Sequence, residues 1–188
     1  PVLERGVKER EVLLPPGRWI DWWTGQIHEG GKTITTPAPL GTLPLFLREG
    51  EIVPLLRPTI DTLSPTTKPE SVDSYATTPG LIYARVATGE ASTFTLFDGA
   101  ELSQSRVASK VTLGSKDGKE LAFGVVWELI AAGKKPASVT EGGAPLAEKA
   151  TLAELTAAPS GWTFSAETGG TVHVKVGAGP HTVEIALP

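Results

Sequence analysis

Five aspartates, Asp21, Asp61, Asp73, Asp98 and Asp117, are the side chains of this 188-residue chain that invite a test for acid, base or nucleophile chemistry. Asp61, Asp73, Asp98 and Asp117 lie among Pro, Ser and Gly, the setting of turn residues whose carboxylates bond nearby backbone. Asp21 stands in Trp19-Ile20-Asp21-Trp22-Trp23-Thr24-Gly25 and reads as a turn or strand residue. The histidines, His28, His173 and His181, are not spaced as metal ligands, and no His-Glu-x-x-His or Cys/His cluster occurs. A Gly-x-Ser-x-Gly elbow is absent. Gly177-Ala178-Gly179-Pro180 stops after two glycines and precedes a strand, which excludes a dinucleotide fingerprint. There is no cysteine, hence no disulfide and no thiolate. Trp19, Trp22 and Trp23 remain. Their indole faces could stack on sugar rings; the alternative is a core or domain-interface cluster, since aromatics dominate both. On a continuous strand Trp19 and Trp23 share a face with Asp21, and Ile20 and Trp22 share the other.

The elements that would position these residues are strands. Glycine (21) and proline (16) punctuate the whole chain, and no long helical period interrupts them. Asparagine is absent, so hairpin turns fall to Gly30-Gly31, Asp98-Gly99, Asp117-Gly118, Gly142-Gly143 and Gly169-Gly170. Residues 1–78 hold ten of the prolines, which keeps their strands short: 10–14, 18–23, 32–36, 43–48 and 51–55. Segment 57–79, with Pro58, Pro65, Pro69 and Pro79, reads as an irregular excursion or linker. Beyond it, apolar residues alternate cleanly. Ile82, Ala84 and Val86 oppose Leu81, Tyr83 and Arg85; Leu121, Phe123, Val125, Trp127 and Leu129 share one face; Val172, Val174 and Val176 form another, as do Val183, Ile185 and Leu187. Further strands are expected at 92–97 and 107–113. One helix is expected, Thr151–Ala157, with Thr151 as N-cap, Glu154 completing a capping box and Pro159 ending it.

Charge excludes other function classes. Residues 1–78 hold 8 basic and 10 acidic residues and residues 79–188 hold 9 and 11, so each half carries −2 and neither offers a basic face to nucleic acid. No run of 18 apolar residues exists to span a membrane as a helix.

Three blocks then match a known pattern in order and spacing: Arg10-Glu11-Val12-Leu13-Leu14-Pro15-Pro16-Gly17-Arg18-Trp19-Ile20-Asp21-Trp22-Trp23-Thr24-Gly25, Gly30-Gly31-Lys32-Thr33-Ile34-Thr35-Thr36-Pro37-Ala38-Pro39-Leu40, and Leu43-Pro44-Leu45-Phe46-Leu47-Arg48-Glu49-Gly50-Glu51-Ile52-Val53-Pro54-Leu55. They resemble the β-domain that follows the catalytic barrel in glycoside hydrolase family 31, the α-glucosidases and α-xylosidases. Softer likenesses continue through Ser92–Gly99, Leu152–Leu155, Ser160-Gly161-Trp162 and Val172–Val176. The resemblance implies an all-β fold of two antiparallel β-sandwich-like domains in tandem: 1–78, a proximal C-terminal domain with a Pro-rich linker, and 79–188, a distal one. Pro1-Val2-Leu3-Glu4 looks like the end of a family strand, so the chain is expected to start inside one.

Family members hydrolyse by double displacement with two aspartates on the barrel, the nucleophile in a Trp-x-Asp-Met-Asn-Glu-like strand. Trp19-Ile20-Asp21 mimics the first three residues, but Met-Asn-Glu is missing. The resemblance therefore implies no catalytic, cofactor-binding or metal residue here and no cofactor. It implies as partner the catalytic barrel of the same parent protein, with carbohydrate an open partner, and neither nucleic acid nor membrane. The apolar runs Leu43–Leu47 and Ile52–Leu56 would face that barrel. Two rivals stay open. A carbohydrate-binding module would show a solvent-exposed row of aromatics on one sheet face; a stand-alone adhesion sandwich would need no enzyme beside it.

Overall fold

The computed structural model describes residues 6–116, 118 and 124–188. Pro1–Glu4, Asp117, Leu121 and Phe123, on which expectations were placed, lie outside them. In chain order the strands are β1 (Glu9–Leu14), β2 (Arg18–Asp21), β3 (Ile27–Glu29), β4 (Lys32–Pro37), β5 (Phe46–Arg48), β6 (Ile52–Leu55), β7 (Ile82–Val86), β8 (Ser92–Thr95), β9 (Glu101–Val107), β10 (Lys110–Lys116), β11 (Val125–Leu129), β12 (Ser138–Glu141) and β13 (Ala144–Pro145), then helix α1 (Leu152–Ala157), β14 (Gly161–Ser165), β15 (Thr171–Val176) and β16 (His181–Ala186). They form a β1–β4 ribbon, a three-stranded sheet β3-β2-β5, a five-stranded sheet β14-β15-β11-β7-β6 and a six-stranded sheet β13-β12-β16-β10-β9-β8. The described residues are all-β but for α1, in sandwich-like layers.

The two large sheets close over the main core. Ile82, Ala84 and Val86 meet Val125, Trp127, Leu129, Val172, Val174 and Val176 from one sheet, and Leu102, Val111, Leu113, Val183 and Ile185 from the other. Each is at most 4% exposed. The alternation read from the sequence puts them there: a period of two sends every second residue inward. Full burial of each such aliphatic side chain contributes about 1.5–3 kcal/mol.

Among the strands named above, pairing departs from the antiparallel expectation once. β7 and β11 run parallel, with Arg85 opposite Glu128. Parallel neighbours need a long crossover. Here β8, β9 and β10 supply it by lying in the opposite sheet. β6 is antiparallel to β7, Leu55 facing Tyr83, so it extends the five-stranded sheet and gives Ile52 to the core. Of the two apolar runs expected to face a barrel, Ile52–Leu56 thus enters this sheet with Ile52 buried, Val53–Leu55 partly exposed and Leu56 exposed.

The 57–79 segment leaves β6 and returns to its paired neighbour β7. It is knit by its own polar groups. Arg57 forms a two-pronged pair with Asp73, Thr59 donates to Asp73 at 2.6 Å, Asp73 N–H donates to Asp61 at 2.8 Å, and Ser74 Oγ donates to the Ser64 carbonyl at 2.6 Å. The Arg57 hydrogen bonds, then Thr59, hold the Asp73 carboxyl down at about 2.

Glycine turns join strands where expected. Gly31, Gly99, Gly142, Gly143, Gly169 and Gly170 all have positive φ, between 54° and 89°. The strand expected at 107–113 is instead a hairpin: β9 ends at Val107 and β10 begins at Lys110. Ala108, at φ 53°, makes that turn with no glycine or asparagine to announce it. Thr151 caps α1 by accepting from Glu154 N–H at 3.1 Å, and the Glu154 carboxylate reaches back to Ala150 N–H at 3.1 Å.

Candidate functional site

β2 delivers the tryptophan segment. Its partners β3 and β5 hold Trp19 between His28 and Arg48 and Ile20 between Ile27 and Leu47. The strand stops at Asp21, not at residue 23. The Asp21 carboxylate, 8% exposed, accepts at one oxygen from Trp23 N–H at 2.9 Å, Thr24 N–H at 2.8 Å and Thr24 Oγ1 at 2.9 Å. A short acidic side chain bonding backbone two and three residues ahead competes with the sheet ladder and turns the chain. The two-faced strand expected over 18–23 therefore ends early, and the three indoles part company.

Trp19 donates its ring N–H to the Pro15 carbonyl at 2.8 Å, tying β2 to the preceding turn. Trp22 packs inward: the Arg85 guanidinium lies 4.0 Å from its ring centre and donates to its carbonyl at 3.1 Å. Arg85 also grips Glu128 with two hydrogen bonds, at 2.9 and 2.7 Å. Trp23 turns outward. Its ring N–H donates to the Leu43 carbonyl at 2.7 Å, and its side chain is half-exposed; Leu43 and Leu45 are exposed as well.

The other described aspartates are structural. Asp61 and Asp73 hold the 57–79 excursion together, and buried Asp98 accepts from Ala100 N–H at 3.0 Å. The histidines are scattered. His28 makes an edge contact with Phe46, ring centres 5.6 Å apart, and His181 bonds Glu141. His173 lies on β15 beside Glu128, 3.8 Å away. Burial, opposed by Glu128 and reinforced by Arg85, holds its imidazole below the usual histidine range. Among the described residues no group of three or more His, Asp or Glu could hold a metal.

Two residues that organise this region escaped the sequence reading. Arg85 looks like an ordinary outward strand residue until β7 and β11 are placed in register, which sets Glu128 opposite it. Gln104, 2% exposed, donates to the carbonyls of Gly50 and Glu90 at 2.9 and 2.6 Å and accepts from Gly89 N–H at 3.2 Å. Nothing in its neighbourhood signals a buried amide.

Residues 1–53, which include this turn and its β-strand partners, match the model of the glycosyl hydrolase family 31 C-terminal domain. Over these residues the chain matches the C-terminal β-domain of that family, and the relatives it resembles are family 31 enzymes. Among family 31 relatives, the isomaltosyltransferase of Sporosarcina globispora is 29% identical over 196 residues, all of this chain and 17% of that protein. The α-xylosidase of Saccharolobus solfataricus is 44% identical over 57 residues, 30% of this chain and 8% of that one. The cycloalternan-forming enzyme from Listeria monocytogenes, solved with a pentasaccharide substrate, superposes with a TM-score of 0.79 at 26% identity, over 99% of this chain and 18% of that one. The chain thus spans less than a fifth of these relatives; its likeness to the isomaltosyltransferase and to the cycloalternan-forming enzyme runs through nearly its whole length, that to the α-xylosidase over 57 residues.

Proposed function

We propose that this chain is the non-catalytic C-terminal β-region of a retaining α-glycosidase and that it supports the catalytic barrel of the same protein. It comprises two units, a proximal one of residues 1–78 and a distal one of 79–188, with β6 lent by the first to the sheet of the second. The observation that carries the reading is that Trp23, Leu43 and Leu45 are exposed, with the Trp23 ring bonded to the Leu43 carbonyl, in the part that matches the family model. Large apolar side chains clustered in the open mark a surface that another body covers. An inter-domain face within one chain spans roughly 600–1,500 Å². The aspartates support the same reading from the other side, since those described are spent on turns and retaining hydrolysis needs two free carboxyl groups about 5–5.5 Å apart.

Trp23 favours the rival of a sugar-binding module, because its half-exposed ring is pinned by its own N–H. Outward positions of the six-stranded sheet do not extend it into a platform: Thr93, Ser103, Ser105, Thr112, Thr182 and Glu184 are all non-aromatic.

Sedimentation velocity of purified 1–188, with an assay on aryl α-glucoside and α-xyloside, tests the proposal. The wild-type chain is expected to self-associate at high concentration and Leu43→Ser to shift it towards monomer, with no turnover above the buffer blank. A clean wild-type monomer sinks the covered-face argument. Turnover that survives repurification and is lost in Asp21→Asn sinks the non-catalytic one. Saturable malto-oligosaccharide binding abolished by Trp23→Ala hands the site to the rival.

A further inference from the structure

The turn Trp22–Gly25 does not end in solvent. It lands on the hairpin turn between β14 and β15, more than 140 residues along the chain. A Cβ placed on Gly25 would stand 2.0 Å from the Thr168 carbonyl oxygen and 2.7 Å from Gly169 N. Reciprocally, a Cβ on Gly169 would stand 3.0 Å from the Gly25 carbonyl oxygen. Backbone meets backbone, which only glycine permits. A third turn joins from the end of β11: Ala131 N–H donates to the Thr168 carbonyl at 3.3 Å, Ala132 N–H to Gly170 at 2.8 Å and Gly133 N–H to Gly169 at 2.9 Å.

Strain collects at this junction. Among the described residues three non-glycines have positive φ, and two of them are Ala131 at 54° and Thr168 at 52°. Such conformations persist where the surroundings over-determine them. Next to the contact, Arg85 binds the Trp22 carbonyl and ring while holding Glu128. Beneath it, Ile20 and Leu47 from the small sheet share an apolar cluster with Ala87 and Ile130 from the ends of β7 and β11.

We infer that the Asp21–Gly25 turn is a latch: seated on Thr168-Gly169 and clamped by Arg85, it makes the β3-β2-β5 sheet and the distal sandwich open and close as one body. Load on the outward Trp23–Leu43 face then passes into the sandwich and is not absorbed at a hinge. The inference rests on contacts inside the chain and holds whatever covers that face.

The test is hydrogen exchange by mass spectrometry along a urea titration of the full chain, comparing peptides from 9–48 with peptides from 125–187. Wild type is expected to show coincident midpoints. Gly25→Ala is expected to separate them, residues 9–48 losing protection at lower urea while 125–187 keep theirs. Gly31→Ala is the control, because Gly31 has a similar φ of 76° but open space where its Cβ would go. It carries the same backbone cost without touching the junction, and its midpoints should stay together. If Gly25→Ala does not fold, Arg85→Lys is read in its place; it keeps the charge but loses the forked grip on Glu128 and the stacked plane, and it should also separate the midpoints. Separate midpoints in wild type, coincident midpoints in the variant read, or equal separation in Gly25→Ala and Gly31→Ala would each overturn the latch.

Discussion

Trp127 is the largest side chain with no exposed surface, and among the described residues its ring N–H has no hydrogen-bond partner. Trp127→Ala removes that packing and leaves a cavity, so a loss of about 3–5 kcal/mol is expected in urea unfolding. Trp127→Phe should cost clearly less, because it also removes a buried donor that is left unpaired. His173 makes a second expectation at this scale. Its folded-state value lies below that of the unfolded chain, chiefly because of burial, with Glu128 on β11 and Arg85 on β7 facing it. Between those two values the unfolded chain binds more protons, so stability rises with pH there and is level above about pH 6.5. The urea midpoint should therefore fall from pH 7 to pH 5.5, and His173→Gln should flatten that fall; an unchanged slope would show that another group carries it. Both residues lie on strands whose alternation was plain in the sequence. The partners were not: Glu128 meets Arg85 and His173 only through the register of three strands, which no local pattern encodes.

Among the elements, the 57–79 excursion leans on the ionised carboxylate of Asp73, which accepts from both Arg57 and Thr59. Asp73 has its folded value lowered to about 2 by Arg57 and Thr59. Its contribution is present above the ordinary value near 3.8 and is lost as pH falls through about 2. Peptides from 57–79 should thus keep exchange protection at pH 4 and lose it towards pH 2, whereas Asp73→Asn should show little change over that interval. A wild-type loop unprotected at pH 4 would show that the network does not order it. The proline content of this segment correctly foretold irregular backbone, but composition alone could not distinguish a linker from a loop that closes on itself. Turn chemistry explains which elements were legible. Glycine-containing dipeptides located three hairpins, β8–β9, β12–β13 and β14–β15, and the capping residues located α1. The Ala108-Ser109 turn, without such residues, hid the boundary of β9 and β10, and the Asp21 side chain cut short a strand that apolar content alone would have continued.

For the molecule as a whole, the family blocks in residues 10–57 foretold the match to the C-terminal domain model, and the alternation beyond residue 80 foretold the sandwich. What neither foretold is how tightly the parts are joined: β6 crosses into the five-stranded sheet, Gln104 fastens Gly50, and Gly25 rests on Gly169. These are contacts between residues distant in sequence, and they follow from the finished shape. The strand order of the six-stranded sheet has a consequence for how the protein is made. β16 lies between β10 and β12, and it is synthesised after both. At about 5–20 residues per second, the interval from the end of β10 to the arrival of β16 lasts on the order of several seconds. For that time the nascent chain holds one edge of β10 unpaired, with Val111 and Leu113 lacking Ile185 and Val183 across from them. The exposure to wrong partners therefore falls during translation, and it ends when β16 docks between its neighbours.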